Sequence, residues 1–79
     1  MDRTLDARGW LCPLPVMKAS ELVAGMVAGE RLVLTATDPA TMRDVREWVA
    51  GDPRLALESQ ERSVDRDGGE LFVHRVRLR

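Results

Sequence analysis

Alternating and helical patterns of apolar residues divide this chain into six predicted elements. Residues 4–7 alternate apolar and polar side chains, and residues 70–79 do so over a longer stretch, as strands with one covered face do. Residues 31–37 are rich in β-branched and apolar side chains and predict a further strand, whereas residues 55–63 predict a weaker one. Asp67-Gly68-Gly69 is a turn sequence typical of hairpins, so we expect it to join the last two strands.

The first helix is predicted to begin at a pair of prolines, Pro13 and Pro15. Proline suits a first helical turn because the N–H groups there have no intrahelical partner. We therefore expect Cys12 to be the N-cap and Pro13 the first helical residue, with Leu11 and Val16 packed together as a hydrophobic staple. Helical spacing then predicts a buried face made of Val16, Ala19, Leu22, Val23 and Met26.

The second helix is predicted to begin at Asp38-Pro39, an aspartate cap followed by proline. Its predicted buried face consists of Met42, Val45, Trp48 and Val49. Gly51 and Pro53 end this helix. Either Gly25 or Gly29 ends the first one.

The predicted order of elements is β-α-β-α-β-β, which indicates the α/β class. A strand–helix–strand step normally forms a right-handed crossover between parallel neighbours, whereas the final hairpin must be antiparallel. The strands therefore form a mixed four-stranded sheet. Seventy-nine residues make one domain, 1–79, which is too small to cover both faces of a sheet. We expect both helices on one face and a solvated second face that carries Arg75 and Arg77.

Composition and charge argue against several classes of protein. The formal net charge of -1 argues against a general nucleic-acid binder, which needs an excess of lysine and arginine. No apolar stretch is long enough to span a membrane and no signal peptide is evident, so we expect a cytoplasmic protein. A single cysteine forms no internal disulfide, and one cysteine with one histidine builds no structural metal site. We expect no metal and no cofactor.

Cys12 is the candidate reactive residue because it precedes a helix. A free thiol titrates at about 8.5, and a helix N-terminus lowers the pKa to roughly 7 or lower, since its partial positive charge and unpaired N–H groups favour an anion. Pro13 and Pro15 lack N–H groups, so the Leu14 amide is the expected partner of the sulfur and the lowering is moderate. The prolines also stiffen the loop and hold the sulfur outward. The alternative is a buried cysteine that acts as a small hydrophobic residue.

Five charged residues are further candidates for a role at the site. Asp6 either orients the loop by accepting backbone N–H bonds or is a solvated charge. Asp38 is a helix cap, and Asp44 alone belongs to a solvated helix face. Lys18 and Arg43 lend positive potential to the sulfur if the two helix starts lie side by side.

The apolar and aromatic candidates are likewise open to two interpretations. Trp10 and Leu14 form an apolar docking rim around an exposed sulfur, or Trp10 folds back over the helix end. The methionines Met17, Met26 and Met42 fall at or near core spacing. His74 lies on the apolar side of the last strand, so a core histidine is favoured over a Cys–His catalytic pair.

A family resemblance rests on an eleven-residue run, Leu5-Asp6-Ala7-Arg8-Gly9-Trp10-Leu11-Cys12-Pro13-Leu14-Pro15. It resembles the Cys-Pro-x-Pro signature of the TusA (SirA-like) family of sulfur carriers. Downstream, the resemblance continues in Gly29-Glu30, in Ala36-Thr37-Asp38-Pro39-Ala40-Thr41 and in Asp44-Val45. It covers nearly the whole chain and implies a two-layer α/β sandwich.

The resemblance implies that Cys12 accepts sulfane sulfur from a cysteine desulfurase or a rhodanese-type donor. The persulfide then passes to an acceptor sulfur-relay protein, in the best-known case towards tRNA thiolation. Relatives serve sulfur oxidation, molybdenum-cofactor supply and thiosulfate use. We expect a monomer with no direct contact to nucleic acid or membrane. The residues expected to bind partners or position the sulfur are Asp6, Gly9, Trp10, Pro13, Leu14, Pro15, Lys18, Asp38 and Arg43.

Three departures from the family pattern leave the pathway open. Trp10 replaces an aliphatic residue, Val49 stands where many members have a second cysteine, and Gly51-Asp52-Pro53 replaces a common Gly-His. Two other functions are weaker alternatives: a regulatory or nucleic-acid module using the arginines of the C-terminal third, and a thiol oxidoreductase. The second lacks a resolving cysteine. Turnover of a small substrate by this chain alone is not expected.

Overall fold

The computed structural model describes residues 2–79, and these contain the predicted elements in the predicted order. They are β1 (Asp2–Ala7), α1 (Leu14–Val23), β2 (Arg31–Ala36), α2 (Thr41–Ala50), β3 (Leu55–Val64) and β4 (Glu70–Leu78). The strands form one sheet in the order β1-β2-β4-β3. β1 and β2 are parallel, and β4 is antiparallel to both of its neighbours. The predicted mixed four-stranded sheet is confirmed.

One face of the sheet carries the hydrophobic core, and both helices pack against it. The side-chain period of two turns Leu34 of β2 and Val76 of β4 to the same side, where both are buried. Ala19 of α1 and Val45 of α2 belong to the same core cluster. The predicted α/β arrangement, with both helices on one face, is therefore confirmed.

The opposite face of the sheet is uncovered and carries ion pairs. The Arg77 Nε atom lies 3.2 Å from Glu58 Oε2, and Arg31 pairs with the same glutamate. Arg75 pairs with Glu61 of the neighbouring strand. Arg75 and Arg77 thus lie on the solvated face, as predicted. Their positive charge is offset by adjacent carboxylates, which weakens any basic surface for nucleic acid.

The first helix begins later than the sequence predicts. Its N-cap is Pro13 and its first residue is Leu14, so the prediction that Cys12 is the cap was wrong. The Leu14 N–H donates to the Leu11 carbonyl at 3.0 Å, which closes a tight turn before the helix. Leu11 is 76% exposed, so the predicted staple with Val16 is absent. The fixed φ of proline suits a cap as well as a first helical residue, and local sequence does not separate the two.

The second helix also begins later, at Thr41 with Ala40 as its N-cap. The prediction that Asp38 is the N-cap and Pro39 the first helical residue was therefore wrong by two residues. Asp38 still stabilises this end, because its Oδ1 atom accepts the Ala40 N–H at 2.9 Å. The helix ends at its predicted C-cap, Gly51.

The methionines are not all in the core. Met26 is buried, but Met17 is 57% exposed and so contradicts its predicted core position. Met17 falls near, but not on, the helical row that faces the sheet. α1 ends at Val23, shortly before Gly25, which is the nearer of the two predicted glycines.

Candidate functional site

The carboxyl ends of β1 and β2 bring the segment of residues 8–13, here called the cysteine loop, next to the start of α2. Ala7 and Ala36 end two parallel strands and pair in register, so the chain leaves both strands at one edge of the sheet. Gly9 has a φ of +82°, a left-handed conformation that favours glycine. Its N–H donates to Thr37 Oγ1 at 2.8 Å. The cysteine loop is therefore tied to the segment that leads into α2.

Asp6 orients the beginning of the cysteine loop. Its Oδ1 atom accepts the Arg8 backbone N–H at 3.2 Å and the Arg8 Nε–H at 2.8 Å. These hydrogen bonds, the side-chain one first, lower the pKa of Asp6 to about 2. Of the two interpretations of this exposed residue, the one in which it accepts a backbone N–H of the loop is confirmed. Asp6 therefore stabilises the turn at Arg8.

Two carboxylates from the α2 side hold Cys12. Its backbone N–H donates to Asp38 Oδ2 at 2.8 Å. Its thiol is exposed, as predicted, and donates to Asp44 Oδ2 at 2.6 Å. The Asp44 side chain is largely buried, and its Oδ1 atom lies 3.8 Å from Arg43 Nε. The loop thus has its backbone fixed by one aspartate and its sulfur fixed by the next.

These carboxylates raise the pKa of the Cys12 thiol. The largest cause is the hydrogen bond to Asp44, followed by partial desolvation and by the negative charges of Asp44 and Asp38. The nearby positive charge of Arg43 lowers the pKa and only partly offsets them. The predicted lowering by the helix N-terminus was therefore wrong. Cys12 precedes the cap, and the Leu14 amide expected to face the sulfur is bound to a carbonyl instead.

Several exposed apolar side chains lie close to Cys12 in the sequence. The Trp10 side chain is partly buried against the core, so it folds back and does not form the rim. The Trp10 backbone N–H donates to the Ala7 carbonyl at 3.1 Å. Leu14 stays at the surface, 36% exposed, and the more exposed Leu11 and Met17 lie near it. Leu14 and Met17 are three positions apart and share one side of α1. We call Leu11, Leu14 and Met17 the apolar rim.

The remaining predicted site residues have different surroundings in the structure. Pro13 caps α1, and Pro15 is buried in its first turn. Lys18 lies 3.3 Å from Glu21 in an ion pair, whereas the positive charge of Arg43 lowers the pKa of Cys12. His74 is fully buried and hydrogen-bonded within the core, as predicted.

Asp44 is the functional candidate that the sequence interpretation missed. As an isolated charge on a helix it looked solvated, yet it contacts a sulfur 32 positions away in sequence. A spacing argument could have found it. Parallel crossovers bring the starts of the two helices together at one edge of the sheet. Asp44 lies in the first turn of α2, on the same side as Thr41, so it belongs to the end of α2 that approaches Cys12.

The described part of the chain contains neither a cluster of metal-binding side chains nor a membrane-spanning helix. Within residues 2–79, no group of three histidine, cysteine, aspartate or glutamate side chains is arranged to hold a metal ion. In the same range neither helix has both the length and the hydropathy that crossing a lipid bilayer requires.

Comparison with known proteins connects this geometry to a family. The family profile described as "Sulfurtransferase TusA" matches residues 3–74. A relative from Halobacterium salinarum named "Putative sulfur carrier protein" is 35% identical over 74 residues, which are 94% of this chain and 85% of that protein. A relative of the same name from Aquifex aeolicus is 40% identical over 73 residues, or 92% of this chain. The chain spans only 34% of that longer protein.

A solved structure supports the fold independently. The crystal structure of a SirA-like protein from Desulfitobacterium hafniense matches with a TM-score of 0.67 over 99% of this chain and 96% of that chain. Sequence identity is 20%, so this similarity concerns the fold alone.

Proposed function

Because the chain belongs to the TusA family, we propose that it is a sulfur carrier that holds sulfane sulfur as a persulfide on Cys12. The observation that carries this proposal is the exposed Cys12 thiol, fixed at the sheet edge and hydrogen-bonded to Asp44 at 2.6 Å. An exposed sulfur at the tip of a helix is accessible to another protein. A buried thiol or an enclosed pocket would instead suit a small substrate.

The transfer follows from the chemistry of thiols and persulfides. The Cys12 sulfur attacks the terminal sulfur of a donor protein's cysteine persulfide. A new sulfur–sulfur bond forms on Cys12, and the donor's sulfur–sulfur bond breaks with its electron pair on the donor cysteine, which leaves as a thiolate. The thiol proton moves from Cys12 to Asp44, and no net oxidation occurs. Asp44 suits this role because its Oδ2 atom already accepts that proton in a hydrogen bond.

We propose the partners that the family resemblance implies. The donor is a cysteine desulfurase or a rhodanese-type protein, and the acceptor is a sulfur-relay protein in tRNA thiolation or another sulfur-transfer pathway. The exposed apolar rim of Leu11, Leu14 and Met17, close to Cys12 in sequence, supports docking of both, since exposed apolar groups favour protein contact. We place the exchange in the cytoplasm, where a lone thiol is kept reduced.

The test is mass spectrometry of the carrier after incubation with a cysteine desulfurase and cysteine. We expect a gain of one sulfur atom on Cys12, reversed by a reducing thiol and absent from Cys12→Ala. Asp52→Asn, which removes a carboxylate at the far end of α2, is the matched control and should load normally. A carrier that gains no sulfur, or a Cys12→Ala variant that gains as much as the parent, refutes the proposal.

A further inference from the structure

His74 is a buried histidine that the proposed sulfur chemistry leaves without a role. It lies on β4, on the face covered by the helices, and is 0% exposed. Its Nε2 atom lies 3.0 Å from Thr41 Oγ1, and its Nδ1 atom lies 3.1 Å from Gln60 Nε2. Thr41 is also fully buried and is the first residue of α2. The imidazole ring therefore joins two strands of the sheet to the start of α2.

Hydrogen bonds connect Gln60 to His74, His74 to Thr41 and Thr41 to the Asp38 carbonyl, and we call them the hydrogen-bonded series. Gln60 determines the direction of each of them. Its Nε2 atom donates to the Met42 carbonyl at 2.8 Å, which fixes the orientation of the amide. The same nitrogen faces His74 Nδ1, so Nδ1 accepts and Nε2 carries the ring proton. That proton is donated to Thr41 Oγ1. The Thr41 hydroxyl in turn donates its own proton to the Asp38 carbonyl at 2.8 Å.

The series continues from Asp38 to the reactive sulfur. The Asp38 carboxylate accepts the Cys12 N–H, and Asp44, three residues after Thr41, accepts the thiol proton. Both contacts depend on where α2 starts relative to the sheet. Hydrogen bonds weaken steeply when their geometry is lost, so a small displacement of this helix start separates the carboxylate from the thiol.

His74 keeps one hydrogen-bonding state at neutral pH. Burial lowers its pKa to about 4, so the ring is neutral there. A second ring proton would set two donors, Nδ1–H and the Gln60 amide, against each other. The direction of the series is therefore constant over the range in which thiols react.

We propose that His74 and Thr41 are positioning residues for the Cys12 thiol. They hold the start of α2 where Asp44 accepts the thiol proton and Asp38 fixes the Cys12 backbone. The use of this arrangement in sulfur transfer rests on the proposed function, whereas its effect on the thiol does not. The proposal is therefore tested on the thiol itself, without a sulfur donor.

The experiment measures disulfide exchange between Cys12 and the uncharged reagent dithiodipyridine from neutral to alkaline pH. Removing the Asp44 carboxylate is expected to speed exchange about threefold at neutral pH and to slow it about threefold on the alkaline plateau, since a less basic thiolate is more abundant but less nucleophilic. Thr41→Val, which replaces the hydroxyl by a methyl group, should move the profile in the same two directions. Thr41→Ser keeps the hydroxyl and should restore the wild-type profile.

Two controls separate positioning from general destabilisation. Val45→Ala opens the core on the same helix without touching the hydrogen-bonded series, so its exchange profile should match the wild type. In an Asp44→Asn background, Thr41→Val should add no further shift, because the two changes act on one contact. A wild-type profile for Thr41→Val, an equal shift in Val45→Ala, or full additivity with Asp44→Asn overturns the proposal.

A second variant keeps the proposal testable if Thr41→Val does not fold. Gln60→Leu changes the half-buried end of the series and frees the His74 ring to exchange its proton between nitrogens. We expect a profile shifted in the same direction, and an unchanged profile overturns the proposal. Failure of sulfur loading in mass spectrometry would leave these exchange profiles unaffected, so the two proposals fail separately.

Discussion

Asp44→Asn is the substitution that most directly tests how the site controls its sulfur. The change keeps the size of the side chain and removes the negative charge that accepts the thiol proton at 2.6 Å. The carboxylate raises the pKa of Cys12, chiefly through that hydrogen bond, so its removal lowers the pKa. The amide that replaces it also offers an N–H to the thiolate.

The magnitude follows from the proximity of the two groups. At contact distance, and even at the dielectric constant of water, the repulsion between two unit charges changes an equilibrium constant by roughly fivefold to tenfold. We therefore expect about tenfold more thiolate in Asp44→Asn at neutral pH. A less basic thiolate is also a weaker nucleophile: the logarithm of its rate constant falls by about 0.4–0.5 for each tenfold fall in basicity. Close to half of the tenfold gain, on a logarithmic scale, is therefore lost.

Two opposite changes in disulfide exchange are thus expected from one substitution. At neutral pH Asp44→Asn should react about threefold faster than the parent with an uncharged disulfide, whereas on the alkaline plateau it should react about threefold more slowly. The two profiles cross. Asp52→Asn removes a like charge at the far end of α2 and should leave the profile unchanged. A slower reaction of Asp44→Asn at neutral pH, or parallel profiles without a crossing, would refute the assigned role of this carboxylate.

Two further predictions concern stability. Gly9→Ala should destabilise the fold by about 1–2 kcal/mol in denaturant titrations, because the φ of +82° strains the backbone of any other residue and no neighbouring atom adds a clash. Gly69→Ala is the control and should be near neutral, since its φ is not in that region. Equal effects of the two substitutions would contradict the reasoning. Because burial lowers the pKa of His74 from 6.5 to about 4, the unfolded chain binds an extra proton between these values. Stability should therefore be fully present above pH 6.5 and fall by roughly 3 kcal/mol as the pH drops to about 4. His74→Gln should lose this slope, and an unchanged slope in that variant would assign it to other groups.

The architecture was predictable because each element carries its own local pattern. Alternation along residues 70–79 predicts which side of β4 is covered, and it correctly placed His74 inside and Arg75 outside. The helix starts were less predictable, since proline fits the cap at Pro13 as well as the first helical position. The turn that the Leu11 carbonyl closes with the Leu14 N–H decides which position Pro13 takes, and the hydrophobic periodicity does not predict this turn.

The electrostatics of the site could not be derived from the segment around Cys12 alone. A helix N-terminus favours an anion only if its N–H groups face that anion, and here the Leu14 amide faces a carbonyl. The groups that hold Cys12 come from the segment before α2 and from α2 itself, 26 and 32 positions further along the chain. Sequence patterns interpreted Asp38 as a helix cap and Asp44 as a solvated charge on the same helix, and only the packing of the two helix starts makes both neighbours of Cys12.

A raised thiol pKa suits a carrier better than the lowered one that its position in the sequence suggested. The thiolate is the reactive form, so a thiol held protonated by Asp44 reacts slowly with free disulfides and oxidants at neutral pH. The thiolate that does form is the more nucleophilic one, because nucleophilicity rises with basicity. In the transfer proposed above, the donor persulfide reacts with a thiol whose proton Asp44 already accepts in a hydrogen bond, so bond formation and proton removal use groups that are already in contact. The site thus lowers background reactivity in solution without lowering the strength of the nucleophile inside a protein complex.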